Sequence, residues 1–498
     1  MLFNSYTFIV FLLLVLALHY ARLSWTVKKV NLLVASYLFY ALWNPPFVIL
    51  LWLSTVVDFF VGKKLYEIEN PSRRKVLLVI SLVVNLGMLA FFKYGNFLLD
   101  NFIVLSSAVG FEFNPARPDI ILPVGISFYT FQTLCYTLDM YKRKHAPENS
   151  LLDFSLFVTF FPQLVAGPIV RPGELIPQFK KPHYANREQF VKGALLLSLG
   201  LFMKVVMADT MLAGPADMIF GATQSLKAID AWLGVLAFSG QIFFDFAGYS
   251  TCAIGVAAML GFHLPDNFKY PYAAIGFSDF WRRWHITLST WLRDYLYIPL
   301  GGNRKGETRT YINLMLTMLL GGLWHGASWT FVVWGALHGI YLCIERILKA
   351  RFAAVNQLRQ SNQTVLMEKE QAFRASLVPA FMSGKKTQQF LLALFTFFLV
   401  NITWVFFRAA DFNTAGRMIA SMFGFDEKGI ALMPTIDMIK VGVVTFLLVS
   451  THWFMRNSSV WQLAKKTKWW IVAIVWSLLL FALVLSQKSS DSFIYFQF

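Results

Sequence analysis

The sequence predicts an all-α polytopic membrane protein: a helical bundle of about ten crossings, with re-entrant segments and one amphipathic helix lying in the membrane interface. Three observations predict it. Of 498 residues, 57% are hydrophobic and only 14% are charged, against about 25% charged in an average soluble protein. Apolar runs recur along the whole length, which fits one polytopic domain over residues 1–498. Between the runs, Lys- and Arg-rich loops alternate with neutral or charge-balanced ones, as expected when basic loops stay cytoplasmic.

The elements follow in order. The first run starts at Ser5; it lacks a basic leader and a small-residue cleavage site, so it reads as a transmembrane helix. Arg22, Lys28 and Lys29 follow it, residues 44–46 carry no charge, and Lys63, Lys64, Arg73, Arg74 and Lys75 mark the next basic loop. This alternation places the N-terminus outside. Residues 76–94 exit, 97–111 are a weaker run lying along the outer surface, and 120–141 re-enter ahead of Lys142, Arg143 and Lys144. Residues 151–165 are apolar but short and flanked by basic loops, a re-entrant pattern. Residues 193–211 cross out and 232–262 cross back. Within 277–299, Trp281, Trp284, Leu288, Trp291, Tyr295 and Ile298 fall three and four apart on one helical face, with Arg282, Arg283 and Arg293 off it. That is the composition of a helix in the cytoplasmic interface. Residues 311–344 read as a hairpin bent at His325, and 345–389 as a polar cytoplasmic loop. Crossings at 390–407, 439–455 and 469–485 complete the bundle and leave both termini outside. No internal repeat is visible.

Composition excludes several classes. The formal charge of +17 is accounted for by cytoplasmic loops and membrane lipid, so no nucleic-acid partner is expected. Cys135, Cys252 and Cys343 sit in apolar segments without CxxC or Cys–His spacing, so they read as small buried hydrophobes, with no disulfide framework and no metal site. Walker, GxSxG and HExxH signatures are absent, and no bound cofactor is expected.

The chemistry points to His325. It lies in Gly-Leu-Trp-His-Gly at 322–326, inside a stretch (311–344) without a single Lys, Arg, Asp or Glu. A titratable group at membrane depth is costly, and imidazole titrates nearest neutrality, which suits proton transfer. Gly321, Gly322, Gly326 and Ser328 open the helix around it. His338, thirteen residues on, reads as a packing histidine. His285 flanks the aromatic stripe and would line the cytoplasmic mouth of a cavity ending at His325. Asp245, among Phe243, Phe244 and Phe246, reads equally as the partner of a basic residue on the next element and as a catalytic carboxylate.

These residues resemble a known family, the membrane-bound O-acyltransferases, and in it the bacterial alginate O-acetylation branch. The matching stretches are 122–128, 161–163 with 166–169, 243–250, 278–285, 297–302, 323–326 and the tail 493–498. Ser278-Asp279-Phe280-Trp281-Arg282-Arg283-Trp284-His285 together with Leu323-Trp324-His325-Gly326 is a specific pair. The resemblance implies acyl transfer across a membrane, with His325 as the essential residue in a tunnel and His285 as a second family position. Asp245, Trp324, Arg282 and Arg283 would support substrate. Thr251 and Cys252 stand where the family commonly has an Asp.

The function expected is transfer of acetyl from a cytoplasmic thioester, acetyl-CoA or an acyl carrier protein, for O-acetylation of a secreted or cell-wall polysaccharide. A separate periplasmic or extracellular acetyltransferase would receive the group, and the chain would sit in the cell inner membrane. Two other readings stay open: D-alanyl transfer to teichoic acid from a carrier protein, and a non-enzymatic transporter, since broken helices with polar groups at mid-membrane describe transporters too.

Overall fold

The computed structural model describes residues 1–361, 385–425 and 429–486. Among them the chain is helical, and the one strand-like pairing is an isolated bridge between Leu226 and Ile430. The first helices are α1 (Tyr6–Tyr20), α2 (Trp25–Ala41), α3 (Val48–Glu67), α4 (Pro71–Ala108), α5 (Ile126–Tyr141), α6 (Leu151–Thr159) and α7 (Pro172–Phe179). Next comes α8 (Arg187–Leu201), which runs through a π-helical stretch, Phe202–Ala213, into α9 (Gly214–Phe220). The central helix is α10 (Ala228–Met259), followed by the short α11 (Phe277–Trp281) and α12 (Ile286–Leu292). The remainder are α13 (Glu307–His325), α14 (Trp329–Ser361), α15 (Lys385–Arg408), α16 (Phe412–Met422), α17 (Thr435–Met455), α18 (Val460–Lys466) and α19 (Trp469–Leu485).

Seven helical spans among the described residues are long and apolar enough to cross a membrane, and α1 and α19 are apolar but shorter. Most of these spans turn broad apolar faces outward. α10 does not: 83% of its most apolar window is inside the protein. One buried cluster gathers α1–α7 around the second half of α10, and another gathers α9, α11 and α15–α17 around its first half. Lipid is as apolar as leucine, so close backbone approach and polar pairing must hold such helices together. Glycine supplies the approach. A Cβ on Gly200 would lie 2.5 Å from the Gly248 carbonyl, and one on Gly193 2.6 Å from that of Gly255. These two pairs let α8 and α10 cross at backbone contact.

Polar pairing uses up most of the ionisable residues in apolar segments. On α3, Asp58 accepts from Ser81 Oγ (2.5 Å) and Asn85 Nδ2 (2.8 Å) of α4 and from Thr137 Oγ1 (3.1 Å) of α5. Asp139 pairs with Lys144 at 2.9 Å and accepts from the Tyr295 hydroxyl. Lys29, counted above as a loop charge, lies in α2 and pairs with Asp153 of α6.

Four expectations change. Residues 76–94 and 97–111 are not two segments, because α4 is one helix of 38 residues. Its weaker second half carries Asn96, Asp100 and Asn101, which lower hydropathy without ending the helix. The stretch 277–299 is not one interfacial helix: it breaks between Trp281 and Ile286, and Trp284 and Leu288 are wholly enclosed by protein. The apolar stripe is real, but protein covers its middle at Trp284, Leu288 and Trp291, while Ile298 at its end is exposed. The loop 345–389 is helical as far as Ser361 and from Lys385 on. Lastly, Gly321 and Gly322 do not open the helix, since α13 runs through them to His325. Gly322 is small because α14 crosses there: a Cβ on it would meet the Phe331 carbonyl at 2.3 Å, while one on Gly321 would meet the Leu292 side chain of α12 at 3.1 Å. The tail 493–498 lies outside the described residues.

Candidate active site

α13 stops at His325 because Gly326 adopts an extended conformation (φ −160°, ψ 153°), and α14 begins at Trp329. The bend expected at His325 is therefore present, one residue later than the imidazole. Gly326 admits no side chain, since a Cβ would sit 2.0 Å from the Phe331 ring. His325 is 2% exposed, and its ring lies edge-on to Trp324, Trp334 and Phe407, with centroids 5.0, 4.9 and 5.3 Å away.

His285 comes from the break between α11 and α12. The segment is held from both sides. The Glu345 carboxylate of α14 accepts from the backbone N–H of Phe277 (2.6 Å) and Ser278 (3.0 Å), capping α11. Asp279 pairs with Arg283 (3.0 Å) and Arg456 (2.6 Å). His285 then takes a left-handed conformation, φ 43°, which a non-glycine residue adopts at a cost of about 1–3 kcal/mol. That turn drives the imidazole inward: it is fully buried, and its ring centroid lies 6.4 Å from that of His325. His285 is therefore not at a cavity mouth but beside His325, with Phe246 and Trp324 against it. Its Nδ1 lies 3.2 Å from Asn267 Oδ1. Because that oxygen can only accept, Nδ1 carries the proton, and the neutral ring keeps its lone pair on Nε2. No protein group among the described residues hydrogen-bonds to Nε2.

A small cavity opens beside His325, lined by residues 122–128, Val165, Lys93, Trp324 and His325 itself; His285 does not reach its wall. It encloses about 40 Å³, room for a few water molecules. The N-terminus of α5 forms one wall. Gly125 makes the turn into it with φ 75°, and a Cβ there would lie 2.8 Å from the Leu164 carbonyl. Helix N-termini present unpaired N–H groups and partial positive charge. Lys93 of α4 lies on the same wall: its Nζ donates to the carbonyls of Trp324 (2.8 Å) and His325 (2.9 Å).

Of the six site residues expected, the structure brings His325, His285 and Trp324 together. Asp245 goes elsewhere. It pairs at 2.6 Å with Lys204, which also holds Asp209 at 2.8 Å, so its partner comes from the preceding element rather than the next. Arg283 is committed to Asp279 and to the carbonyls of Lys269 and Arg456, and Arg282 is exposed. His338 packs against Phe280, Trp281 and Trp334 and bonds Thr403, as a packing histidine should. Lys93 and Asn267 were missed. Lys93 carried a signal, being the lone charge between residues 76 and 99; Asn267 carried none, since an asparagine in a loop is unremarked until its partner is known. No group of three or more His, Cys, Asp or Glu among the described residues could hold a metal ion.

The arrangement predicts different fates for two neighbouring substitutions. His285→Ala is expected to lower acyl transfer per folded molecule at least tenfold, because it removes the Nε2 lone pair beside His325. Trp291→Ala is expected to act on stability, since its indole stacks on Phe131 at 3.9 Å and bonds the Phe131 carbonyl. Activity and thermal stability measured on both purified variants check this; His285→Ala with full specific activity would make His285 structural.

The fold is an all-helical multi-pass membrane bundle with two adjoining buried imidazoles, one of them lining a small cavity. Comparison with known proteins supplies the chemistry. The profile of the MBOAT, membrane-bound O-acyltransferase family matches residues 142–384. The chain is 40% identical over 453 residues to the "Probable alginate O-acetylase AlgI" of Pseudomonas putida, covering 90% of this chain and 85% of that one. It is 39% identical over 424 residues to the "Peptidoglycan O-acetyltransferase" of Helicobacter pylori, covering 80% and 74%. It is 28% identical over 284 residues to the "Teichoic acid D-alanyltransferase" of Streptococcus thermophilus, covering 53% and 67%. The chain belongs to the membrane-bound O-acyltransferase family, in its alginate O-acetylation branch, and is an O-acyltransferase.

Proposed function

We propose that the protein takes an acetyl group from a cytoplasmic thioester, acetyl-CoA or an acyl carrier protein, and passes it across the inner membrane for O-acetylation of an extracellular or cell-wall polysaccharide. The observation that carries this reading is His325, with His285 beside it, lining a cavity walled by Lys93 and the start of α5. In O-acyl transfer an acceptor hydroxyl loses its proton as its oxygen attacks the thioester carbonyl. The C–S bond then breaks, and the sulfur leaves as a thiol or thiolate. His325 is assigned as the base, with His285 beside it to support the imidazolium's proton. Negative charge developing on the carbonyl oxygen needs preorganised donors. The start of α5 supplies that potential, rather than the amides around Gly321 and Gly322, which are inside a helix. Basic loops on the cytoplasmic side would draw the anionic donor in, and a separate periplasmic or extracellular acetyltransferase would receive the group.

The relatives leave a second donor in view, because a D-alanyl transferase is among them. Purified protein given acetyl-CoA or a D-alanyl-loaded carrier protein separates the two. Release of free thiol from acetyl-CoA alone is the expected result. Release only from the carrier would overturn the donor, and release from neither, with substrate uptake into vesicles instead, would favour transport.

A further inference from the structure

We propose that Lys93 and Tyr94 form a clamp that positions His325 for acyl transfer, an inference that rests on the assignment of His325 as the base. An α-helix leaves its last carbonyls without intrahelical partners, and when they are buried they need donors from elsewhere. α13 ends in that situation at His325. Two adjacent residues of α4 supply the missing donors: the Tyr94 hydroxyl donates to the Leu323 carbonyl at 2.8 Å, and Lys93 Nζ donates to those of Trp324 and His325 at 2.8 and 2.9 Å. Two turns further along α4, Asn101 Oδ1 accepts from Trp329 Nε1 at 2.9 Å, tying down the first residue beyond the break. One continuous helix thus grips both sides of the bend.

Charge makes the grip specific. Lys93 is the lone Lys, Arg, Asp or Glu between positions 76 and 99, and an ammonium at membrane depth is expensive. At a helix C-terminus it meets the negative end of the macrodipole, and its ammonium also sits over the Trp324 ring at 5.8 Å. The His325 ring is joined to the clamped peptide by two side-chain torsions, so holding that carbonyl fixes where the imidazole can reach. Gly326, on the far side, adds no restraint of its own. Lys93 and Tyr94 are positioning residues: they act through the backbone of His325.

The test uses purified full-length protein. Lys93→Met keeps the stem and removes the donors; kcat is expected to fall about 10²-fold, the cost of a reacting group misplaced by about 1 Å, with KM little changed. Lys93→Arg, which restores a cationic donor, should recover most of the loss. Hydrogen–deuterium exchange in peptides covering residues 323–330 should speed up in Lys93→Met and not elsewhere, a readout that does not depend on the donor. Should Lys93→Met fail to fold, Tyr94→Phe takes its place, with a smaller fall in kcat and faster exchange over the same peptides. Wild-type kcat in the folded variants, or a fall in kcat with exchange at 323–330 unchanged, overturns the clamp. Absence of thiol release by the wild type would instead sink the functional reading, while exchange would still report on the clamp.

Discussion

His325→Ala is expected to lower acyl transfer about 10²–10⁴-fold, the usual loss when a general base is removed, while the protein still inserts and folds. The expectation of folding comes from the cage. Trp324, Trp334 and Phe407 surround the ring, and they are held by their own contacts: Trp324 against Phe131, Trp334 against Trp404, Phe407 against Phe331. The two helices meeting at the bend are joined by backbone packing at Gly322 and Gly335 and need nothing from the imidazole. The measurement is thiol release per folded molecule, with thermal stability alongside. Full activity in the folded variant would remove His325 from the chemistry and leave His285, whose Nε2 is available, as the base.

Lys204→Met carries the largest expected cost in stability. Lys204 lies in the π-helical stretch after α8, 9% exposed at the side chain, between Asp209 and Asp245. Its removal leaves two carboxylates around a vacated cationic position, and breaking a buried pair from one side costs about 3–5 kcal/mol. Replacing both partners by apolar residues is often neutral, so Lys204→Met with Asp245→Leu should regain most of the loss. Detergent-solubilised variants heated and assayed for the folded fraction check the order: wild type, double variant, single variant. Unchanged stability in Lys204→Met would mean the pair is not structural. Asp245→Asn that folds normally but loses activity would return Asp245 to the reaction.

Periodicity and loop charge carried most of the fold. They found most of the long helices, α10 among them as the crossing at 232–262, because those features follow from hydropathy along one segment, whereas the bend at His325 was read from the glycines around it. What covers an apolar face is not written in that pattern. The stripe of Trp284, Leu288 and Trp291 has the same spacing whether lipid or α5 and α15 lie against it, and the structure shows protein. Small residues are similarly two-valued: Gly322 reads as a break or as a crossing, and only the presence of α14 decides. The site was half legible. His325 and Trp324 announce themselves in one short segment, and His285 in another. The clamp was not legible, because Lys93 lies 232 positions from His325 and no local rule joins them. Asp245 and Arg283 were drawn toward the site by neighbours in sequence, whereas ion pairs made in three dimensions had already taken their charges.

The Asp58 network also constrains how the chain is made. A carboxylate near the middle of an apolar segment makes insertion cost about 2.5–3.5 kcal/mol, and α3 carries Asp58 ten residues after Val48. Its hydrogen-bond donors, Ser81, Asn85 and Thr137, do not yet exist in the membrane when α3 arrives. Three residues separate α3 from α4, so the first two donors emerge from the ribosome directly behind it. During synthesis α3 and α4 are therefore expected to enter the bilayer as a hairpin, with α4 shielding the carboxylate, and α5 to close the network when residue 137 follows. Lengthening the three-residue link would delay that shielding and expose a half-inserted helix to quality control, even though every contact of the finished protein would be unchanged.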